Sequence, residues 1–156
     1  MSQDQTAQLH ASAVSVDGKG CLILGKPGSG KSTLALGLIA LGALLIADDQ
    51  VILTSHGGQL HLSAPSAMHG VIEARGVGLI RLDGASQQVL SDADAICRLV
   101  VDLDQRAERL PRPADRDLLG IPCPVILGKD RSGFAAIIWV LMHSDGLLDP
   151  EQGMEI

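Results

Sequence analysis

The chain has 156 residues and a formal charge of −6, with one tryptophan (Trp139), one phenylalanine (Phe134) and no tyrosine. An acidic chain so poor in rings lacks the basic stripe and stacking platforms of a nucleic-acid reader, and no stretch reaches the roughly eighteen apolar residues of a membrane-spanning helix. The length suits one domain over residues 1–156, with a core of Leu, Ile, Val and Ala that fits an α/β fold, a mixed sheet flanked by helices.

In chain order, residues 9–16 mix apolar and small polar types and lead into the turn cluster Asp17-Gly18-Lys19-Gly20, which reads as a hairpin. The returning apolar run Cys21-Leu22-Ile23-Leu24 feeds a glycine-rich loop. Residues 32–41 carry a helical pattern that stops near Gly42, and 43–47 form a short buried strand ending in Asp48-Asp49. Residues 50–55 and 59–63 alternate around Gly57-Gly58 as a second hairpin. A helical turn is expected over 66–72, then a glycine-rich bend at Arg75-Gly76-Val77-Gly78 and a strand over 80–82. Residues 96–103 read as a strand, 106–119 as an exposed charged connection, 122–127 as the last strand, 133–143 as a helix, and 145 onward as a frayed tail.

Cys21, Cys97 and Cys123 are odd in number, widely spaced and set in apolar runs, so they read as reduced core thiols. The N-terminus shows no basic region followed by an apolar signal core. Together these point to a cytoplasmic protein. His56, His61, His69 and His143 show no metal-ligand spacing.

The most specific feature is Gly25-Lys26-Pro27-Gly28-Ser29-Gly30-Lys31-Ser32, a complete G-x-x-x-x-G-K-S phosphate-binding loop between an apolar run and a helical one. Its glycines let the backbone N–H groups wrap inward and form a nest for phosphate oxygens at the positive end of the next helix. Lys31 adds a mobile charge for the β- and γ-phosphates. The Ser32 hydroxyl suits Mg²⁺, which keeps octahedral oxygen coordination and takes few ligands from protein. Thr33 borders the nucleotide site and starts the helix rather than touching metal.

Two acidic sites compete to complete this cradle: Asp48-Asp49, and Asp102 with Asp104 at the end of the later strand. Neighbouring aspartates at a strand end are expected to point one to each face. A carboxylate beside another is also harder to ionise, which suits one of them to act as base toward a hydroxyl. Asp102 and Asp104 read otherwise as an exposed strand edge.

His10-Ala11-Ser12-Ala13, the loop 25–32, Ala47-Asp48-Asp49 and Ile72-Glu73-Ala74-Arg75-Gly76-Val77-Gly78-Leu79-Ile80 resemble, in order and spacing, the successive motifs of the bacterial HPr kinase/phosphorylase catalytic domain. The resemblance covers residues 8–83 well and 122–140 more weakly. It implies a fold related to that of phosphoenolpyruvate carboxykinase, and a protein-serine kinase that phosphorylates the phosphocarrier HPr with ATP and Mg²⁺ and in many members removes the phosphate by phosphorolysis. By position, it implies that Asp48 handles the serine proton and that Asp49 assists it and borders the metal. It places Glu73 with Ser32 on Mg²⁺, Arg75 on phosphate or on the loop against the partner, and His10 beside the aspartates. A homo-hexamer is implied as well.

The sequence also departs from the family. Few residues precede His10, as in the short forms resembling α-proteobacterial members, and the Gly-Ala-Val-Arg hairpin has no counterpart. The closing loop reads Gly128-Lys129-Asp130-Arg131 in place of Gly-Arg-Asn. A lysine lacks the bidentate fork of arginine, and phosphorolysis must seat an additional phosphate, so kinase action tolerates these changes better than phosphorolysis. Two other readings stand beside this one: a general P-loop NTPase or small-molecule kinase using Asp102 near Ser32, and a nucleotide-sensing module without catalysis.

Overall fold

The computed structural model describes residues 3–66, 69–82, 89 and 95–152. At its centre lie β2 (Ala11–Val16) and β3 (Lys19–Leu24), paired antiparallel and buried along nearly their whole length. Asp17 and Gly18 join them with φ of 52° and 81°, the two successive positive values that a tight primed hairpin turn requires. β9 (Ala95–Asp102) runs parallel to β3, and β4 (Leu44–Ala47) runs antiparallel to β2.

Beyond β9 come β6 (Gln59–Ser63), β5 (Val51–His56) and β1 (Thr6–Leu9), giving the order β1-β5-β6-β9-β3-β2-β4. The hairpin of β10 (Ala114–Leu118) and β11 (Ile121–Leu127) joins through a parallel pairing of β11 with Val100–Asp102 of β9, which completes nine strands among the described residues. β7 (Val71–Ala74) and β8 (Gly78–Arg81) form a separate two-stranded hairpin.

Strand alternation divides the core into two layers. Val14, Val16, Cys21 and Ile23 face α1 (Lys31–Leu41) and α2 (Phe134–Met142), where they meet Leu34, Leu38 and Ile138. Ala13, Leu22, Ile46 and Val100 face the other way and pack with Leu53, Leu60 and Leu62 of β5 and β6. The helices approach closely at Gly37, where a methyl would lie 2.8 Å from Ala135 Cβ. α1 stops at Gly42: its N–H reaches Ile39 O at 3.0 Å and the Ala43 N–H reaches Leu38 O at 2.9 Å, the paired bonds of a Schellman cap. Among the described residues no helix is long and apolar enough to cross a membrane.

The early hairpin, the 50–63 hairpin, both helices and the strands near 43–47, 96–103 and 122–127 fall within one or two residues of their expected positions. Residues 106–119 are not merely a connection, because 114–118 form β10, paired with Ile121 to Val125. Charged residues on an exposed edge hid its strand character, and its turn uses Leu119 (φ 53°) with Gly120, a pair lacking the usual Asn or Asp signal. Of the helical turn expected over 66–72, Ser66 has 3₁₀ geometry and His69 and Gly70 form a turn, after which the chain enters β7 at Val71; residues 67–68 lie outside the described residues. The strand expected over 80–82 is β8, displaced to Gly78–Arg81. In the tail, 149–152 form a turn, and 153–156 lie outside the described residues.

Cys21, Cys97 and Cys123 are free and buried, and burial pushes the Cys21 thiol up to about 12. A thiolate is the reactive form, so a thiol reagent at pH 8 should leave the native chain unlabelled and modify three groups after unfolding; mass spectrometry checks both. Gly128 abuts the Phe134 ring, into which a methyl would run. Gly128→Ala should therefore cost about 1–3 kcal/mol, measured by urea unfolding.

Candidate active site

The loop and the start of α1 take their shape from local rules. Pro27 and Gly28 (φ 83°) occupy the central positions of a turn closed by Ser29 N–H to Lys26 O at 3.0 Å, the residue choice of a type II turn. Gly25 is glycine for another reason: a Cβ there would collide with the Ser29 hydroxyl, itself buried without a hydrogen-bond partner. Gly30, with φ of 100°, precedes α1, which has no side-chain cap and no acidic residue in its first turn. The first N–H groups of a helix have no partner within it. Here they open onto a cavity of about 290 Å³ lined by Gly28, Gly30, Lys31, Ser32 and Thr33.

Lys31 is buried, and its Nζ donates to Gly25 O at 2.6 Å and Lys26 O at 3.0 Å. Burial pushes this amine below its usual range, while Asp104, Asp48 and Asp49 pull it back up. Asp48, only 4% exposed, lines the same cavity. Its Oδ1 accepts from Ser12 Oγ at 2.6 Å and Ser32 Oγ at 2.8 Å, and its Oδ2 accepts from the Glu73 N–H at 3.1 Å.

The two aspartates do not diverge to opposite faces as strand alternation would have it. Asp49 takes a φ of 71°, and the Gln50 N–H bonds back to Asp48 O at 2.9 Å. This left-handed residue breaks the period of two, so both carboxylates line the same cavity. His10 Nε2 stands 2.8 Å from Asp49 Oδ1. Glu73, on β7, and Arg75, in the turn after it, line the cavity as well. The Arg75 guanidinium overhangs the loop, with Nη2 3.8 Å from where a Cβ of Gly28 would stand.

The structure thus gathers His10, Ser32, Asp48, Asp49, Glu73 and Arg75 around one cavity with Pro27, Gly28, Gly30, Lys31 and Thr33. Gly25, Lys26 and Ser29 are not among the lining residues; the carbonyls of Gly25 and Lys26 receive Lys31, and Ser29 packs against Gly25. Sequence reasoning gave Ser12 no role; it is one of two serines, with Ser15, in a strand buried on both faces, and nothing local distinguishes it from the other.

Asp102 and Asp104 are not a bare strand edge. Asp102 is 4% exposed and accepts from Arg116 Nη2 at 2.7 Å, Gln105 Nε2 at 2.9 Å and the Asp104 N–H at 2.8 Å. The carboxylate on Ser32 is therefore that of Asp48.

No three His, Cys, Asp or Glu side chains among the described residues converge as a ready metal cage. The Ser32 hydroxyl with the carboxylates around it is an all-oxygen set, which fits Mg²⁺ better than a soft metal, since Mg²⁺ takes one or two carboxylates and completes its shell with phosphates and water.

The family model described as the HPr serine kinase C-terminal domain matches residues 2–121. The HPr kinase/phosphorylase of Mycoplasmopsis pulmonis is 45% identical over 73 residues, 47% of this chain and 24% of that protein. That of Bordetella pertussis is 34% identical over 135 residues, 82% of this chain and 44% of that protein. The solved structure of the Hpr(Ser) kinase/phosphatase from Coxiella burnetii matches with a TM-score of 0.75 at 29% identity, covering 88% of this chain and 94% of that one. The sheet order and this likeness define a mixed α/β protein of the HPr kinase/phosphatase fold. The chain belongs to the HPr serine kinase C-terminal domain family, and it spans about a quarter to a half of the length of the curated relatives it matches.

Burial pushes the Asp102 carboxyl up, but Arg116, the Asp104 N–H and Gln105 outweigh it and hold it below the usual carboxylate range. A lowered folded value contributes stability that is present above the unfolded value and lost as pH falls through the folded one. Arg116→Met should cost about 1–3 kcal/mol at pH 7, and the gap to the unaltered chain should narrow below about pH 4. Urea unfolding at pH 7 and pH 3 measures both.

Proposed function

We propose that this chain is the catalytic domain, spanning 1–156, of a protein-serine kinase that transfers the γ-phosphoryl group of ATP, with Mg²⁺, to the phosphocarrier HPr or a homologue of it. The observation that carries this reading is the placement of Asp48, 2.8 Å from the Ser32 hydroxyl and in one cavity with Lys31 and the open start of α1. Family membership supports the same chemistry.

In this reading, residues 25–32 act as a P-loop: the N–H groups of the loop and of the first turn of α1 hold the phosphates, and Lys31 leaves the carbonyls of Gly25 and Lys26 to meet the β- and γ-phosphates. The Ser32 hydroxyl with Asp49 and Glu73 would hold Mg²⁺, which would supply neutralisation of phosphate charge. Asp48 accepts the proton of the incoming serine hydroxyl. His10 keeps the Asp49 carboxylate turned inward, and Arg75, poised over Gly28, steadies the transferred group. Most of the rate comes from positioning and charge neutralisation, with Asp48 managing the proton.

We place the kinase direction ahead of phosphorolysis, because Arg75 and Lys31 are the strong cations on the cavity wall and Lys129 and Arg131 are not among its lining residues. By family resemblance the protein acts in the cytoplasm as a homo-oligomer of six chains, with a core related to that of phosphoenolpyruvate carboxykinase. The reading that routes catalysis through Asp102 has less support, since Ser32 bonds to Asp48 and Asp102 is not among the residues that line the cavity.

Asp48→Asn should leave ATP affinity within about threefold while phosphotransfer falls about 10²–10⁴-fold, the range ascribed to a positioned acid or base. Nucleotide titration by fluorescence and intact-mass analysis of HPr incubated with ATP and Mg²⁺ check the two halves. Undiminished transfer would remove Asp48 from the mechanism, and absence of transfer by the unaltered chain would leave a nucleotide-sensing module.

A further inference from the structure

The peptide group between Gly25 and Lys26 is gripped at both ends. Its carbonyl accepts from the Lys31 ammonium at 2.6 Å, and its N–H donates to both oxygens of Asp104, each at 3.1 Å. A cation, a peptide dipole and an anion thus stand in line, and each polarises the next. Asp104 is itself held: its N–H donates to Asp102 Oδ1 at 2.8 Å, and Asp102 is fixed by Arg116 of β10 at 2.7 Å. The neighbouring Leu103 N–H donates to Leu24 O at 2.9 Å, tying the end of β9 to the last residue before the loop.

We propose that Asp104 is a positioning residue for nucleotide binding: it holds the Gly25–Lys26 peptide in the orientation that keeps the loop open toward phosphate. The proposal rests on the reading of residues 25–32 as a phosphate-binding loop. When Lys31 turns to a phosphate, its bond to the Gly25 carbonyl is released, and Asp104 becomes the remaining restraint on that peptide. Without it, glycine at position 25 leaves the peptide free to turn, and a carbonyl presented to the cradle would repel phosphate. Asp104 does not touch the reacting atoms, so its effect falls on binding of nucleotide rather than on the chemical step.

The test compares Asp104→Ala, Asp104→Asn and Asp104→Glu with the unaltered chain, using a fluorescent ATP analogue with Mg²⁺ for affinity and HPr phosphorylation at saturating ATP for kcat. Loss of a charge-assisted hydrogen bond should weaken nucleotide binding about tenfold in Asp104→Ala. Asp104→Asn, which keeps an acceptor without the charge, should lose less, Asp104→Glu should recover most of the affinity, and kcat should stay within about twofold in all three. Circular dichroism verifies that each variant is folded; should Asp104→Ala fail this, the Asn and Glu variants carry the comparison.

Unchanged affinity in the folded variants, or a fall in kcat as large as the fall in affinity, overturns the role given to Asp104. Failure of the unaltered chain to bind the analogue is a different result, because it overturns the phosphate-binding reading of the loop itself.

Discussion

The Asp48 carboxylate is the point at which four pieces of the chain meet. Ser12 comes from β2, Asp48 follows β4, Ser32 stands in the first turn of α1, and the Glu73 N–H comes from β7. A buried carboxylate requires hydrogen-bond partners, and each partner here belongs to a different element. Meeting that requirement therefore sets the spacing of the central strands against the helix and draws the β7–β8 hairpin over the loop. The geometry of the cavity and the satisfaction of one buried charged group are the same problem with the same solution.

Around that point the glycine loop is shaped by unlike demands at positions that look alike in the sequence. Gly28 and Gly30 supply left-handed backbone, whereas Gly25 supplies room for the Ser29 side chain. The helix that follows is left uncapped on its entry side. Serine, threonine, aspartate or asparagine at that end would accept a bond from those N–H groups; here the capping residue is Gly30, and the first residues of the helix line the cavity.

Much of this was legible before any fold was known. The spacing of Gly25 to Ser32 between an apolar run and a helical pattern located the loop, and the position of Asp48-Asp49 after the next strand located the acid pair. What stayed hidden had physical reasons. β10 is a charged edge strand whose alternation carries no apolar face, and its turn at Leu119-Gly120 uses an unfavoured residue in a left-handed conformation. Ser12 is a small hydroxyl among small residues, and its partner lies 36 positions away. Asp102 read as a surface residue because its neutralising arginine comes from β10, the strand that composition had hidden. Local pattern reveals elements and motifs, but not the long-range pairing that decides whether a charge is buried.

The backbone at residue 49 carries one more implication. Left-handed φ is free for glycine, tolerated occasionally by asparagine and aspartate, and strained for β-branched or bulky side chains. The direction of the second carboxylate is thus written into main-chain shape, and the set of residues this site can accept is narrowed before any chemistry is considered. A glutamate there would bring the same charge on a longer stem from a conformation it resists, so in this protein the identity of an acid and the handedness of a single peptide are selected together.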